Sequence, residues 1–238
     1  MSQQPPSLGA TLELFSGTQP FSRHAASVGY SPCITLDNNP VFSQTTTICE
    51  NILDWDYKRV YPDRCAFKLI WASIPCRSYS NAKRTGPPRD LVTADAIALR
   101  TLDILAYYAP GLKYYFIENP WTGMLKRRGF MQGYNSQGFF VIDYCQYDGG
   151  ESGRKKATVI WSNLPKSCFA PKRCPLDASK CPGMEPGTKR HRCTPTGKYW
   201  DKCKWPSKKH KAIETGIVPM QLVIELIGSV LSNHTASA

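Results

Sequence analysis

The feature that most constrains this chain is the run Leu69-Ile70-Trp71-Ala72, which stops abruptly at Ile74-Pro75 and hands a cysteine, Cys76, to the loop that follows. Uninterrupted apolar runs of this kind suit a strand buried on both faces of a parallel sheet. In open α/β sheets, ligands bind just beyond the carboxyl ends of such strands. Cys76 therefore falls where chemistry is expected, although a small buried thiol is equally at home as an inert core residue.

The segments on either side repeat the theme. Residues 11–15 (TLELF) read as a strand that runs into a turn at Ser16-Gly17-Thr18, and residues 21–28 have helical composition. A strand, a glycine turn and a helix make a cradle, because backbone approaches a ligand closely at glycine and the helix start offers free amide donors. The next strand, residues 33–36, ends at Asp37, where an acid in nucleotide-binding α/β folds accepts from ribose hydroxyls; an ordinary Asx turn with Asn38 and Asn39 would look the same. A third apolar segment, residues 48–53, precedes the strand leading to Cys76.

After a basic loop at residues 83–89, the apolar positions of residues 93–108 recur at helical spacing, with Asp90 or Thr93 as N-cap and Pro110-Gly111 as the stop. Residues 114–117 form a further buried strand that delivers Glu118-Asn119-Pro120. Residues 139–144 and 157–161 read as a late pair of strands around a Gly-rich turn holding Arg154, Lys155 and Lys156. Strands alternating with helices predict an α/β, doubly wound sheet, with Cys76, Glu118 and Arg154 on three loops at one edge.

Composition narrows the setting. The 238 residues are 42% apolar and 20% charged, enough for one globular domain with an appendage. No basic leader precedes an apolar stretch at the N-terminus, and the greasiest segment, residues 217–231, is too short to span a bilayer, so a soluble intracellular protein without membrane contact is expected. The net charge of +12 is uneven: residues 166–211 hold thirteen bases against three acids. With Tyr199, Trp200 and Trp205 interleaved, that segment suits nucleic acid, although solvated lysine-rich loops are common.

Six motifs in order, LELFSGT, ITLDNN, NILDWDY, WASIPCRSYS, FIENPWTGML and YCQYDGGESGRKKATVIWSN, resemble those of cytosine-5 DNA methyltransferases, most of all the small enzymes of phages and large DNA viruses. The resemblance covers roughly residues 11–163. It implies an S-adenosylmethionine-dependent methyltransferase sheet over residues 11–165 after a flexible N-terminus at 1–10. A target-recognition segment at 166–211 and a C-terminal helix within 212–238, packing back on the catalytic domain, would follow.

The resemblance also implies site roles. Cys76 stands in the place of the nucleophile that adds to carbon 6 of cytosine and makes carbon 5 able to accept a methyl group. Glu118 matches the carboxyl that relieves charge at ring nitrogen 3, a role that a proton held in a pocket of low polarity would serve. Arg154 matches the arginine at the cytosine carbonyl oxygen, and Lys156 falls at a second basic position. Phe15, Ser16, Gly17, Thr18, Gln19, Asp37, Asn38, Asn51, Ile52 and Pro75 fall at cofactor-binding positions. Departures are visible: Gln19 replaces a glycine, Asn51 an acid at the adenine amino group, and Ile74 and Arg77 differ from the usual neighbours of the nucleophile. Double-stranded DNA is the implied partner, with the target base flipped out. A catalytically silent DNA-binding relative and an RNA cytosine methyltransferase remain open alternatives.

The basic segment also carries Cys168, Cys174, Cys181, His191, Cys193 and Cys203, soft ligands in a stretch with little apolar periodicity. One structural zinc, held by Cys174, Cys181, His191 and Cys193, is the expectation, and free thiols in a basic loop are the alternative.

Overall fold

The computed structural model describes residues 7–81, 88–149, 154–192 and 217–235. Cys193, Tyr199, Trp200, Cys203 and Trp205, most of the loop at 83–89 and residues 1–6 lie outside the described residues. In chain order the elements are β1 (Ala10–Leu14), α1 (Pro20–Ser27), β2 (Cys33–Leu36), α2 (Tyr57–Val60), β3 (Phe67–Ser73), α3 (Leu91–Tyr108), β4 (Tyr114–Pro120), α4 (Gln132–Gln137), β5 (Phe139–Asp143), β6 (Ala157–Ser162) and α5 (Met220–Thr235), joined by short 3-10 turns.

Six strands form one sheet in the order β2-β1-β3-β4-β6-β5. The first four run parallel, and β6 runs antiparallel to both β4 and β5. The alternation of strand and crossover helix therefore holds as far as β4, and the last two strands close the edge as a hairpin. The chain leaves β1 outward to β2 and then crosses to β3 on β1's other side. That reversal opens a crevice between the ends of β1 and β3, which brings the Gly17 turn and Cys76 to the same place.

The apolar run of β3 is explained by burial on both faces. Ile70 and Ala72 join a core with Leu12, Leu14, Ile117 and the α3 residues Ala98, Leu102 and Leu105. Leu69 and Trp71 join a second core with Phe116, the α1 residues Phe21 and Ala25, and the α5 residues Leu222, Val223, Leu226 and Ile227. Phe21 stacks on Trp71 at 5.6 Å and Trp71 meets Phe116 in a tilted pair at 5.9 Å, each pair adding about 0.5–1.5 kcal/mol beyond area burial. The last helix thus lies against the first.

Local signals account for the ends. Asp90, not Thr93, caps α3 by accepting from Thr93 N at 2.9 Å. Pro20 opens α1, and α5 begins directly after Pro219. The apolar segment at 48–53 makes only an isolated bridge, Ile48 to Leu36, before Asn51 turns the chain by accepting from Leu53 N at 3.1 Å. Among the described residues no helix is long and apolar enough to cross a membrane.

Gly111, at the end of α3, rests on the backbone of Cys65: a β-carbon there would come within 2.2 Å of Cys65 Cα and 2.7 Å of its carbonyl carbon. Two backbone segments cannot part without moving α3, so Gly111→Ala is expected to destabilise the protein by about 1–3 kcal/mol. The measure is a lowered urea midpoint at unchanged slope; an unmoved midpoint would show that this contact is not tight.

Candidate active site

The turn after β1 is built on unusual backbone. Phe15, Gly17 and Gln19 have φ of 58°, 47° and 58°, alternating left-handed residues that turn the chain sharply into α1. Gln19 stands where the resembled family has glycine, yet it adopts the conformation glycine would supply, at a strain of roughly 1 kcal/mol. Its side chain is held, with Nε2 donating to Thr45 O at 2.7 Å. The replacement of glycine by Gln19 therefore leaves the backbone path intact.

Asp37 joins the two sides of the cradle. Oδ2 accepts from Gly17 N at 2.8 Å and Oδ1 from Asn39 N at 2.8 Å, so the Asx turn weighed from the sequence is present and the same carboxylate reaches across to the glycine turn. Beneath them lies Glu13, on β1, with Oε2 accepting from Ser22 N at 2.8 Å and Oε1 from Phe21 N at 3.4 Å at the start of α1. Burial outweighs those bonds and pushes its carboxyl up to about 7.

A cavity of about 380 Å³ sits over this floor. Phe15, Ser16, Gly17, Thr18, Asp37, Asn38, Pro75, Cys76, Glu118 and Lys156 all line it, joining the cradle to the nucleophile position. Gln19, Asn51, Ile52 and Arg154 are not among its lining residues: Asn51 is exposed and spends its side-chain oxygen on its own turn, and Ile52 is packed in the core. Glu13, Phe42, Ile217 and Val218 line it without having been singled out from the sequence. The last two come from the stretch just before α5, far away in the chain, and no local pattern announces them.

The Cys76 loop is held from two directions. Asn119 Nδ2 donates to Ile74 O at 2.8 Å, locking the exit of β3 to the end of β4, and Met124 N donates to Tyr79 O at 2.9 Å. Tyr79 in turn donates to Asp95 at 2.8 Å, and Arg128 pairs with the same carboxylate. Burial raises the Cys76 thiol above its ordinary pKa, Lys156 partly opposing and Glu118 reinforcing the shift, so the resting side chain is the thiol.

Glu118 is 4% exposed, and its Oε1 takes two bonds, from Tyr144 Oη at 2.8 Å and Lys156 Nζ at 3.1 Å. Among the described residues both fall on that one oxygen, which leaves Oε2 for a ligand in the cavity. Tyr144 was not singled out as a site residue, although it opens the motif that carries Arg154 and Lys156. Its ring also underlies both cations, at 4.6 Å from Lys156 Nζ and 5.8 Å from the Arg154 guanidinium. The two bases have different settings: Lys156 lines the cavity, while Arg154 is buried behind it with Nη2 near Ile217 O at 3.5 Å.

A second cluster adjoins the first. Cys145, Cys174, Cys181 and His191 bring four ligand atoms within 4.8 Å of one another, a set compatible with a zinc ion. Three of the four ligands expected from the sequence are present; Cys145, just after β5 and next to Tyr144, was not named, and Cys193 lies outside the described residues. Lys172, Arg173 and Lys180 of the basic segment pair with Glu225, Asp143 and Asp177, at 2.6, 2.7 and 3.9 Å, so part of its charge is spent inside the protein.

A parallel-centred sheet whose glycine cradle and cysteine loop open into one crevice has the architecture of an α/β methyltransferase. The relatives agree: the chain belongs to the cytosine-5 DNA methyltransferase family, being 31% identical over 185 residues to a protein of Frog virus 3 (isolate Goorha) named a probable DNA (cytosine-5)-methyltransferase, a match covering 73% of this chain and 78% of that one. No family model matches the chain. Two solved structures are similar at TM-scores below one half. One is named a putative DNA modification methyltransferase encoded within an E. coli prophage (TM-score 0.47, 13% identity, 69% of this chain and 51% of that). The other is the S. pombe Dnmt2 methyltransferase (TM-score 0.44, 17% identity, 66% and 51%), so the chain spans about half the length of each.

Glu13 makes stability depend on pH. The folded protein keeps a proton on this carboxyl up to about pH 7, whereas the unfolded chain releases it near the ordinary value of 4.5. Stability from Glu13 is therefore full below that value and is lost as pH rises to about 7, by an amount on the order of 3 kcal/mol. Glu13→Gln removes this slope, so the variant's urea midpoint is expected to gain on the wild type between pH 5 and pH 8; parallel curves would show that Glu13 ionises normally.

Proposed function

We propose that the protein transfers the methyl group of S-adenosylmethionine to carbon 5 of a cytosine flipped out of double-stranded DNA, through a covalent adduct on Cys76. The observation that carries this is a single cavity lined by the glycine cradle, Cys76, Glu118 and Lys156. The cradle suits the cofactor. Ser16 Oγ is buried at the cavity wall without a hydrogen-bond partner among the described residues, a place for a polar ligand group. A β-carbon on Gly17 would find nothing closer than Phe42 at 3.9 Å, and the volume is that of a site for a small organic ligand.

Phe15, Ser16, Gly17, Thr18, Asp37, Asn38 and Pro75 would hold S-adenosylmethionine, which supplies an electrophilic methyl on its sulfonium. Asn51 and Ile52 lie outside the cavity lining, and only Ile52 shares a core with the lining residue Ile74. The Cys76 thiol would release its proton to solvent as the nearby Lys156 cation favours the thiolate, and the sulfur would add to carbon 6 of the cytosine. Negative charge then spreads to ring nitrogen 3 and the carbonyl oxygen. Glu118, its Oε1 fixed by Tyr144 and Lys156, would turn Oε2 to nitrogen 3 and share there a proton taken up from solvent; carbon 5 then accepts the methyl group, its own proton leaves to solvent, and expulsion of the Cys76 thiolate from carbon 6 restores the ring. Lys156, rather than Arg154, is the cation placed to meet the carbonyl oxygen, while Arg154 braces Tyr144 from behind.

Residues 166–211 would lie along the DNA, with phosphate contacts supplying most of the affinity and only a dinucleotide to tetranucleotide being read. The decisive experiment is transfer of labelled methyl from S-adenosylmethionine to duplex DNA, with RNA in parallel and nucleoside analysis of the products. We expect 5-methylcytosine in DNA. Cys76→Ser should lower the rate at least about 1,000-fold and Lys156→Gln about 100-fold or more. Methylation surviving in Cys76→Ser would remove the adduct mechanism, and label in RNA alone would move the substrate.

A further inference from the structure

We propose that Cys145, Cys174, Cys181 and His191 hold one zinc ion, which clamps the basic segment to the catalytic sheet next to the residue that positions Glu118. The geometry matches the metal. In a tetrahedral site with Zn–S near 2.3 Å and Zn–N near 2.0–2.1 Å, sulfur and nitrogen ligands stand about 3.5 Å apart. Cys174 Sγ and Cys181 Sγ each lie 3.4 Å from His191 Nε2, and all four ligand atoms fall within 4.8 Å of one another. One ring nitrogen offers either a single proton or a single lone pair, so it cannot bond well to two sulfurs at once. A cation at the centre satisfies all of them.

The surroundings are those of bound thiolates. Gln146 Nε2 donates toward Cys181 Sγ at 3.3 Å and Cys145 Sγ at 3.8 Å, and Leu176 N donates toward Cys174 Sγ at 3.4 Å. Donors of this kind orient metal-bound sulfur and damp its charge. Among the described residues, the apolar cluster around these ligands is small, being Cys145, Cys181 and Met184 with Cys174 and Ala178 against it. A metal supplies the missing folding energy, and the three thiol protons leave to solvent as it binds.

The position of Cys145 gives the ion its purpose. Three ligands come from the basic segment and the fourth from the end of the β5 strand region, immediately after Tyr144, whose hydroxyl holds Glu118. Asp143, on the other side of Tyr144, accepts from Cys174 N at 2.9 Å and Arg173 Nε at 2.7 Å. The segment is thereby fastened to both sides of Tyr144. The spacing Cys174 to Cys181 to His191 contains no CxxC pair, and a fourth ligand 29 residues before Cys174 gives no local signature.

The test is metal content and X-ray absorption at the zinc edge on the full-length protein, purified reduced in metal-free buffer. We expect one zinc per chain with a shell of three sulfurs and one nitrogen. Cys145→Ser and Cys181→Ser should bind zinc at least about 100-fold more weakly, and Cys193→Ser should keep it. Failure of the wild type to retain or take up zinc, or a shell with fewer than three sulfurs, would overturn the site. Loss of zinc in Cys193→Ser with retention in Cys145→Ser would overturn the ligand set. The absorption shell of the wild type decides even where a serine variant does not fold, and neither readout depends on methyl transfer.

Discussion

A carboxylate buried at the end of a central strand cannot stand without partners, and much of this structure follows from supplying them to Glu118. Removing one partner of a buried ion pair costs several kcal/mol, because the charge left behind stays uncompensated in a medium of low dielectric. Lys156 and Tyr144 meet that demand from the hairpin at the far edge of the sheet. β6 reaches this position because it is inserted antiparallel beside β4, pairing Glu118 with Ile160 and Pro120 with Thr158. Asn119, next to Glu118, ties the Cys76 loop to the same strand end. The pair on β4 thus holds the Glu118 side chain and the Cys76 loop in one frame.

The cradle on the other side of the crevice meets a different demand. Left-handed residues at Phe15 and Gln19 store strain that a plain turn would not, and they persist because the surrounding bonds over-determine them. Gln19 is held by Thr45, Gly17 by Asp37, and Glu13 receives the start of α1. Strain in the backbone and a raised carboxyl below it are both tolerated at the wall of the cavity, and departures from ideal local chemistry concentrate at such places.

Much of the fold was legible in the chain. The run at Leu69 to Ala72, the switch to helical spacing after Asp90 and the stop at Pro110-Gly111 carry their own physical reasons, and β3 and α3 formed within two residues of the expected limits, while β4 ran three residues further, to Pro120. The cradle, Asp37, Cys76, Glu118 and Lys156 were legible as well, because motif order fixes which strand end each occupies. Tyr144 escaped because an aromatic inside a strand-end motif is more often core than site. Cys145 escaped because it lies outside the cysteine-rich stretch where ligands were sought, and Ile217 and Val218 because proximity across the whole chain leaves no periodic trace.

The division between Arg154 and Lys156 shows the boundary most clearly. Sequence by itself determined that two cations two residues apart stand beside the sheet, and that a cysteine and a carboxylate end neighbouring strands, since strand direction and apolar patterning are local properties. Only the tertiary structure decided which cation enters the cavity and which braces it from behind. That choice depends on the antiparallel register of β6 on β4 and on α5 lying across the opposite face, and both are contacts between segments whose separation in the chain no local pattern records.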